Sequence, residues 1–402
     1  MQANHARTLV RQADSPGCGA GRFQFVDALR GLAALSVAAY HISRYGPLAH
    51  AAEHSIPDFV QLLLKHGWIG VQIFFVISGF VIAYSLRRAA VTPRFIGQFA
   101  LRRSLRLDPS YWTTIVLVLV LSSLLPASFA EPASADPLSA GQLVAHVGYL
   151  QNVLGYENLS VGFWTLCIEV QFYLMFVVLL GVAQWTAGGA AGADRACYQR
   201  LLALLAPVAI ASLFYFGRQR ASDAWLVHFF SMFFLGMLVC WSLEGKISRL
   251  WFGLFAALMA ASLTVHWSLD ITVALLTGLS VYLVGRAGHL HDWLGWRPLQ
   301  YLGRISYSLY LIHYPTSCLV TALGRELTGD APLPAAAWLA VSLVASIGAA
   351  HLLYVLVERP SLEFSRRIGA PDWSWQPLRR ALLPAAIARA WQRPAGRVAA
   401  EE

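Results

Sequence analysis

Ten uninterrupted apolar runs, each about 20 residues long, divide this chain of 402 residues. They lie at about 27–44, 66–86, 111–130, 161–183, 201–217, 225–243, 250–267, 269–285, 302–323 and 335–357. A helix rising ~1.5 Å per residue needs ~20 apolar residues to cross the hydrocarbon core of a bilayer. The runs are continuous rather than alternating, which excludes a membrane-spanning strand barrel. Only 13% of the residues are charged, against about 25% in an ordinary soluble domain. The expected fold is all-α: a polytopic integral membrane bundle of about ten transmembrane helices. The fifth and eighth runs are the shortest.

Charge placement orients the bundle. The formal net charge is +9, carried almost wholly by arginine, since Lys65 and Lys246 are the only lysines. The arginines gather between apolar runs and near the C-terminus, which marks a cytoplasmic face rather than a nucleic-acid surface. Arg87, Arg88, Arg94, Arg102, Arg103 and Arg106 fall between runs two and three. From there to Arg195 there is no Lys or Arg, while Glu131, Asp136 and Glu157 follow run three. The 87–110 loop is therefore expected inside and the 131–160 loop outside, with both termini cytoplasmic. Arg218 and Arg220 depart mildly from the rule. Residues 1–22 are polar, with no separate apolar core, so no secretory signal is expected. The division expected is a cytoplasmic tail over 1–24, a membrane domain over 25–360 and a basic cytoplasmic tail over 361–402. A short helix is expected near 138–153 and one or two at the membrane surface after 361. The five cysteines, Cys18, Cys167, Cys197, Cys240 and Cys318, have neither disulfide-framework nor zinc-site spacing and read as small apolar residues.

Ionisable groups inside these runs need a reason, because each costs roughly 2.5–3.5 kcal/mol on insertion scales. In "DALRGLAALSVAAYH", Arg30 and His41 are eleven residues apart. At ~100° per residue they share a helix face, about 16 Å apart along the axis. The bland alternative is an anchoring arginine and a histidine that ends the helix. In "RRSLRLDPSYW", Arg103 and Arg106 stand at i and i+3 beside Arg102. Guanidinium groups grip phosphate in a fork geometry, although plain cytoplasmic charge would also place them there. Glu169 lies within run four, flanked by Trp164, Gln171 and Tyr173, as a structural ion-pair partner or a reacting group. Ser306, Tyr310 and His313 recur on one face of run nine, with Arg304 at its inner end. Ser78 and Gly79 in run two permit close approach of a helix or a ligand. His228 and His351 read as structural. His54–Asp58 and His266–Asp270 each spell H-x-x-x-D, a weak pattern without companions.

At these motifs the sequence resembles the acyltransferase-3 family of membrane O-acyltransferases. "DALRGLAALSVAAYH" is similar to the family's first helix, and "FFVISGFVI" to its second-helix signature. "RRSLR" followed by "PSYW" resembles its R-x-x-R motif. "FWTLCIEVQFYL" is similar to its W-S-L-x-x-E-x-x-F-Y pattern, with Thr165 in place of the commoner serine. "ISYSLYLIHYP" and "ERP" at 358–360 also fit, so the resemblance spans about 25–360. Asp108 departs from the apolar residue usual before Pro109. Some members carry a further secreted hydrolase-like domain, which is not expected here.

The resemblance implies transfer of an acyl group, acetyl being the expected one, from cytosolic acyl-coenzyme A to a hydroxyl of a carbohydrate or glycolipid. The catalytic residues it implies are His41, Arg30 and Glu169. Arg30, Arg103, Arg106, Ser78 and Tyr111 would bind acyl-CoA, and Tyr310 and His313 would touch the acceptor or a developing oxyanion. An imidazole suits general-base work because its ordinary pKa lies near operating pH. No metal and no permanently bound cofactor are implied, acyl-CoA being a cosubstrate. The partners implied are acyl-CoA, the saccharide acceptor and the lipid bilayer, and the location is the bacterial cytoplasmic (inner) membrane. The alternative is a transporter or flippase of a lipid-linked saccharide or acyl group, since intramembrane His, Glu and Arg also mark transport pathways. No internal inverted repeat, which such a transporter often shows, is visible.

Overall fold

A computed structural model describes residues 22–124, 138–187, 195–219 and 223–367. In chain order its helices are α1 (Gln24–Arg44), α2 (Ala49–Glu53), α3 (Asp58–Lys65), α4 (Gly70–Leu86), α5 (Pro93–Leu124), α6 (Ala140–Val147) and α7 (Phe163–Thr186). They continue as α8 (Arg195–Phe214), α9 (Leu226–Leu243), α10 (Arg249–Val265), α11 (Leu269–Ala287), α12 (Arg297–Thr328), α13 (Pro332–Leu353) and α14 (Arg359–Arg367). A π-helical turn, Tyr354–Glu358, joins the last two. Among the described residues there is no strand. The chain is a multi-pass helical membrane protein.

The described part of each of the ten apolar runs lies mainly on a helix, but the described residues contain eight helices long and apolar enough to cross a membrane. α10 has 17 residues and is grouped with the shorter apolar helices. α12 is a 32-residue helix with polar groups along its length, Arg297, Arg304, His313 and Arg325 among them. Run three also needs correction. Its helix starts at Pro93 rather than near 111, so Arg94, Arg102, Arg103 and Arg106 sit in α5 and not in a connecting loop. Thr92 and Pro93 form the start: the Phe95 amide donates to Thr92 Oγ1 at 3.2 Å, and proline is at home in a first turn, where its missing N–H has no helical partner anyway. Pro109 lies inside the same helix, where its ring leaves the Leu105 carbonyl without a helical donor.

Small residues set the closest contacts. α12 packs along both α1 and α13, and α4 along α9. A Cβ at Gly31 would come 2.6 Å from the Gly303 backbone nitrogen, so α1 and α12 touch backbone to backbone there. Gly79 and Gly236 are reciprocal: a Cβ on either would overlap the opposite helix, at the Phe233 or Val76 carbonyl. Such contacts suit a bilayer, where hydrophobic burial does not drive helices together and close packing must. Around α9 the core is strongly aromatic, with Phe172 and Phe233 rings 4.3 Å apart and Trp241 fully buried.

The short helix expected near 138–153 is α6, capped by Ser139 Oγ accepting from the Gln142 amide at 3.0 Å. His146 of α6 is buried. Its Nδ1–H donates to the Gln142 carbonyl at 2.8 Å and its Nε2 accepts from the Leu159 amide at 3.0 Å. Cys167, Cys197 and Cys240 are buried and form no disulfide among the described residues. Cys18, Glu131, Asp136, Arg220 and the C-terminal arginines Arg379, Arg380, Arg389, Arg393 and Arg397 lie outside the described residues.

Two outcomes follow. Gly236→Val should lower the thermal midpoint in detergent, since overpacking a tight contact costs about 1–3 kcal/mol, whereas Gly253→Ala, with open space around it, should leave it unchanged. Burial holds the His146 pKa below its ordinary 6.5, so the folded protein keeps it neutral where the unfolded chain would bind a proton. Its contribution is complete above pH about 6.5 and is lost as pH falls toward the depressed folded value. Thermal midpoints at pH 7.5 and 5.5 should differ less in His146→Gln than in the parent.

Candidate active site

Helices α1, α4, α5, α7 and α12 enclose a narrow cleft of about 80 Å³ lined by Arg30, Ser78, Arg103, Arg106, Glu169, Tyr173, Ser306, Tyr307 and Tyr310. Arg103 and Arg106, three residues apart on α5, and Arg30 of α1 reach it together. Glu169 is held by two hydroxyls: Ser78 Oγ donates at 2.8 Å, and Tyr173 donates to the same oxygen. The Arg103 guanidinium stands 4.1 Å from the centre of the Tyr173 ring. Among the described residues none of the three arginines has an ion-pair partner within 4.0 Å, and the buried Arg103 Nε has no hydrogen-bond partner. Three guanidiniums against the two carboxylates that act on them, Glu169 and Glu358, leave the cleft net positive. In a partly desolvated site that is a receptor for an anion rich in oxygen acceptors.

A second cavity, of about 440 Å³, is lined by His41, Tyr40, Tyr45, Trp68, Gln72, Asn158 and Trp164. Val71 and Tyr310 line both cavities, so the two adjoin there. The Tyr310 hydroxyl lies 2.7 Å from Thr165 Oγ1, and Thr165 donates to the Gly162 carbonyl at 3.0 Å. With the threonine proton committed, Tyr310 is the donor in this pair, so its own proton already has an acceptor. His41 Nδ1 is 2.8 Å from His313 Nε2. Gln72 Nε2 donates to Asp270 of α11.

The expected residues divide between these surfaces. Arg30, Ser78, Arg103, Arg106, Glu169 and Tyr310 line the first cleft, and His41 lines the second. The shared face of Arg30 and His41 thus runs from one cavity to the other. His313 lies behind His41 and lines neither. Tyr111 does not reach either cavity: it is fully buried, its ring 4.6 Å from Tyr149 and 4.8 Å from Phe163. Five residues beyond Arg106, it points about 140° away around α5. Gly79 serves helix packing and Ser78 serves Glu169. Arg304 is exposed, and His351 bonds to the Tyr301 hydroxyl at 3.0 Å.

Several residues acquire a role at the site only from the tertiary contacts. Tyr173 is the i+4 neighbour of Glu169, a spacing that signals side-chain contact. Tyr307 ties α12 to α5 by donating to the Leu107 carbonyl at 2.9 Å. Buried Glu358, within the "ERP" motif, accepts from Ser308 Oγ at 2.5 Å. His266 and Asp270 line a third cavity of about 400 Å³, together with His228. Among the described residues no group of three His, Cys, Asp or Glu is placed to hold a metal ion.

A family model described as an acyltransferase domain matches residues 23–355. The chain belongs to the acyltransferase-3 family. Both cavities and every residue named in them fall inside the matched range. This acyltransferase-family chain is 27% identical to the peptidoglycan O-acetyltransferase OatA of Listeria monocytogenes, over 74% of the chain and 49% of that relative. It is 25% identical to the putative peptidoglycan O-acetyltransferase YrhL of Bacillus subtilis, over 85% of the chain and 56% of the relative. It is 23% identical to the O-acetyltransferase OatA of Staphylococcus aureus, over 74% and 51%. The chain spans about half the length of these curated relatives. No solved structure matches it significantly.

Proposed function

We propose that this protein is an O-acyltransferase of the bacterial cytoplasmic membrane that moves an acyl group, acetyl in the first instance, from cytosolic acyl-CoA to a hydroxyl of a carbohydrate. The reading is carried by one observation: an arginine cleft without ion pairs adjoins, at Val71 and Tyr310, a second cavity bearing a histidine. Coenzyme A is a polyphosphate joined by a long thin arm to a thioester, and this arrangement suits both ends. Arg30, Arg103 and Arg106 hold the phosphates, the arm passes Tyr310, and the thioester meets His41. Family membership supports the reaction class, and relatives named for O-acetylation support the acetyl group. Their peptidoglycan names point to a glycan acceptor, and the aromatic wall of Tyr40, Tyr45, Trp68 and Trp164 suits a sugar face.

In the reaction His41 acts as general base. The acceptor O–H proton moves to the imidazole as its oxygen attacks the thioester carbonyl carbon. The C–O bond forms, the C–S bond breaks, and the departing thiolate takes the proton to leave as coenzyme A thiol. Glu169, held by Ser78 and Tyr173, orients the arginine cluster and keeps its charge from self-repulsion. Tyr310, its proton engaged by Thr165, shapes the passage between the cavities.

Purified full-length protein in detergent tests this with radiolabelled acetyl-CoA and envelope glycan as acceptor. Transfer of label supports acyl transfer over simple transport of a lipid-linked saccharide. His41→Ala should lose about 100-fold or more of the transfer rate, the span of general-base catalysis, while still binding coenzyme A. Arg103→Ala with Arg106→Ala should weaken coenzyme A binding by about 10–100-fold, since a hydrogen bond to a charged group is worth about 1.5–3 kcal/mol. Unchanged transfer in the first variant, or unchanged binding in the second, would remove those residues from these roles.

A further inference from the structure

The His41–His313 contact fixes more than position. The two rings are nearly coplanar, 12° apart, with centres separated by 5.1 Å. With His41 Nδ1 only 2.8 Å from His313 Nε2, this is an edge-to-edge hydrogen bond in the ring plane rather than face stacking. His313 Nδ1 in turn lies 3.0 Å from the Leu309 carbonyl oxygen. A carbonyl only accepts, so His313 Nδ1 carries a proton. A neutral imidazole carries one proton, which leaves His313 Nε2 as an acceptor. His41 must then donate from Nδ1, and its own lone pair is on Nε2. That nitrogen has no protein partner among the described residues, and His41 lines the cavity assigned to the acceptor.

We infer that His313 is a positioning residue which, through the Leu309 carbonyl, holds His41 in the tautomer whose Nε2 is free to take the acceptor's proton. The inference rests on the acyl-transfer reading and gives the histidine pair its order. After proton transfer, His41 keeps its Nδ1–H bond to His313 while its new Nε2–H faces the leaving thiolate. Two helices are held in register by this link, α1 through His41 and α12 through His313. The Leu309 carbonyl lies one turn before His313 on the same helix, so the tautomer is set by a rigid element. Ser346 of α13 steadies that turn by donating to the His313 carbonyl at 3.2 Å. His313 itself is buried, lines neither cavity, and touches the reaction only through His41.

The test uses full-length protein in detergent, acetyl-CoA as donor and coenzyme A binding as the control for folding. His313→Phe fills the space but accepts no hydrogen bond. It should lower kcat by about 100-fold, as loss of an oriented base does, with the KM for acetyl-CoA unchanged. His313→Gln, whose amide oxygen can accept from His41 Nδ1–H, should stay within about 10-fold of the parent. Equal losses in the two variants, full activity in His313→Phe, or a rise in donor KM at unchanged kcat would overturn the inference. Should His313→Phe fail to fold, nitrogen NMR of the parent labelled in histidine decides: the resonances lost in His41→Ala should show a protonated Nδ1 and a bare Nε2. The opposite tautomer overturns the inference. Failure of the parent protein to transfer label from acetyl-CoA would instead overturn the underlying acyl-transfer assignment, which the His313 variants leave untouched.

Discussion

Backbone contact between α1 and α12 is the constraint on which the rest depends. Gly31 meets Gly303 so closely that a single added carbon would collide. That approach sets Arg30, Ser306 and Tyr310 around one cleft and lets the His41 ring reach His313. Within a bilayer, two helices gain little from burying apolar surface against each other, because lipid tails are equally apolar. Contact geometry and polar links therefore hold them: glycine against glycine near one end and imidazole against imidazole near the other. A similar arrangement recurs between α4 and α9, where the Gly79 and Gly236 contacts fix the wall that carries Ser78.

The charged groups follow from this frame. A buried carboxylate needs donors, and Glu169 takes them from Ser78 and Tyr173 rather than from an arginine. The guanidiniums nearby are thereby left without an ion-pair partner. A structural salt bridge would neutralise the cleft, whereas satisfying the carboxylate with hydroxyls keeps it attractive to an anion. The reaction proposed here uses that surplus at one end and an uncharged imidazole at the other.

Much of the fold was legible in the sequence because membrane burial imposes a length and a continuity that few other structures share. The described part of every apolar run lies mainly on a helix. Two misjudgements have definite causes. By the clustering of arginine, residues 87–110 read as a cytoplasmic loop. Charge marks where hydrocarbon ends, but the helix itself continues to Thr92–Pro93, where the cap and the proline stop it. The family resemblance implies a donor-site role for Tyr111, yet helical rotation turns it into the aromatic packing with Tyr149 and Phe163.

By itself the sequence determined the class of protein, the shared face of Arg30 and His41, and the unusual presence of Glu169 and His313 in apolar surroundings. Each of these is a local property, fixed by helical periodicity and by the cost of polar groups in lipid. Only the tertiary structure decided which polar groups satisfy one another. It gave Glu169 two hydroxyl donors, committed the Tyr310 proton to Thr165, and joined His41 to His313 across 272 positions of chain. Pairing of this kind depends on which helices neighbour each other, and spacing along one helix carries no record of that.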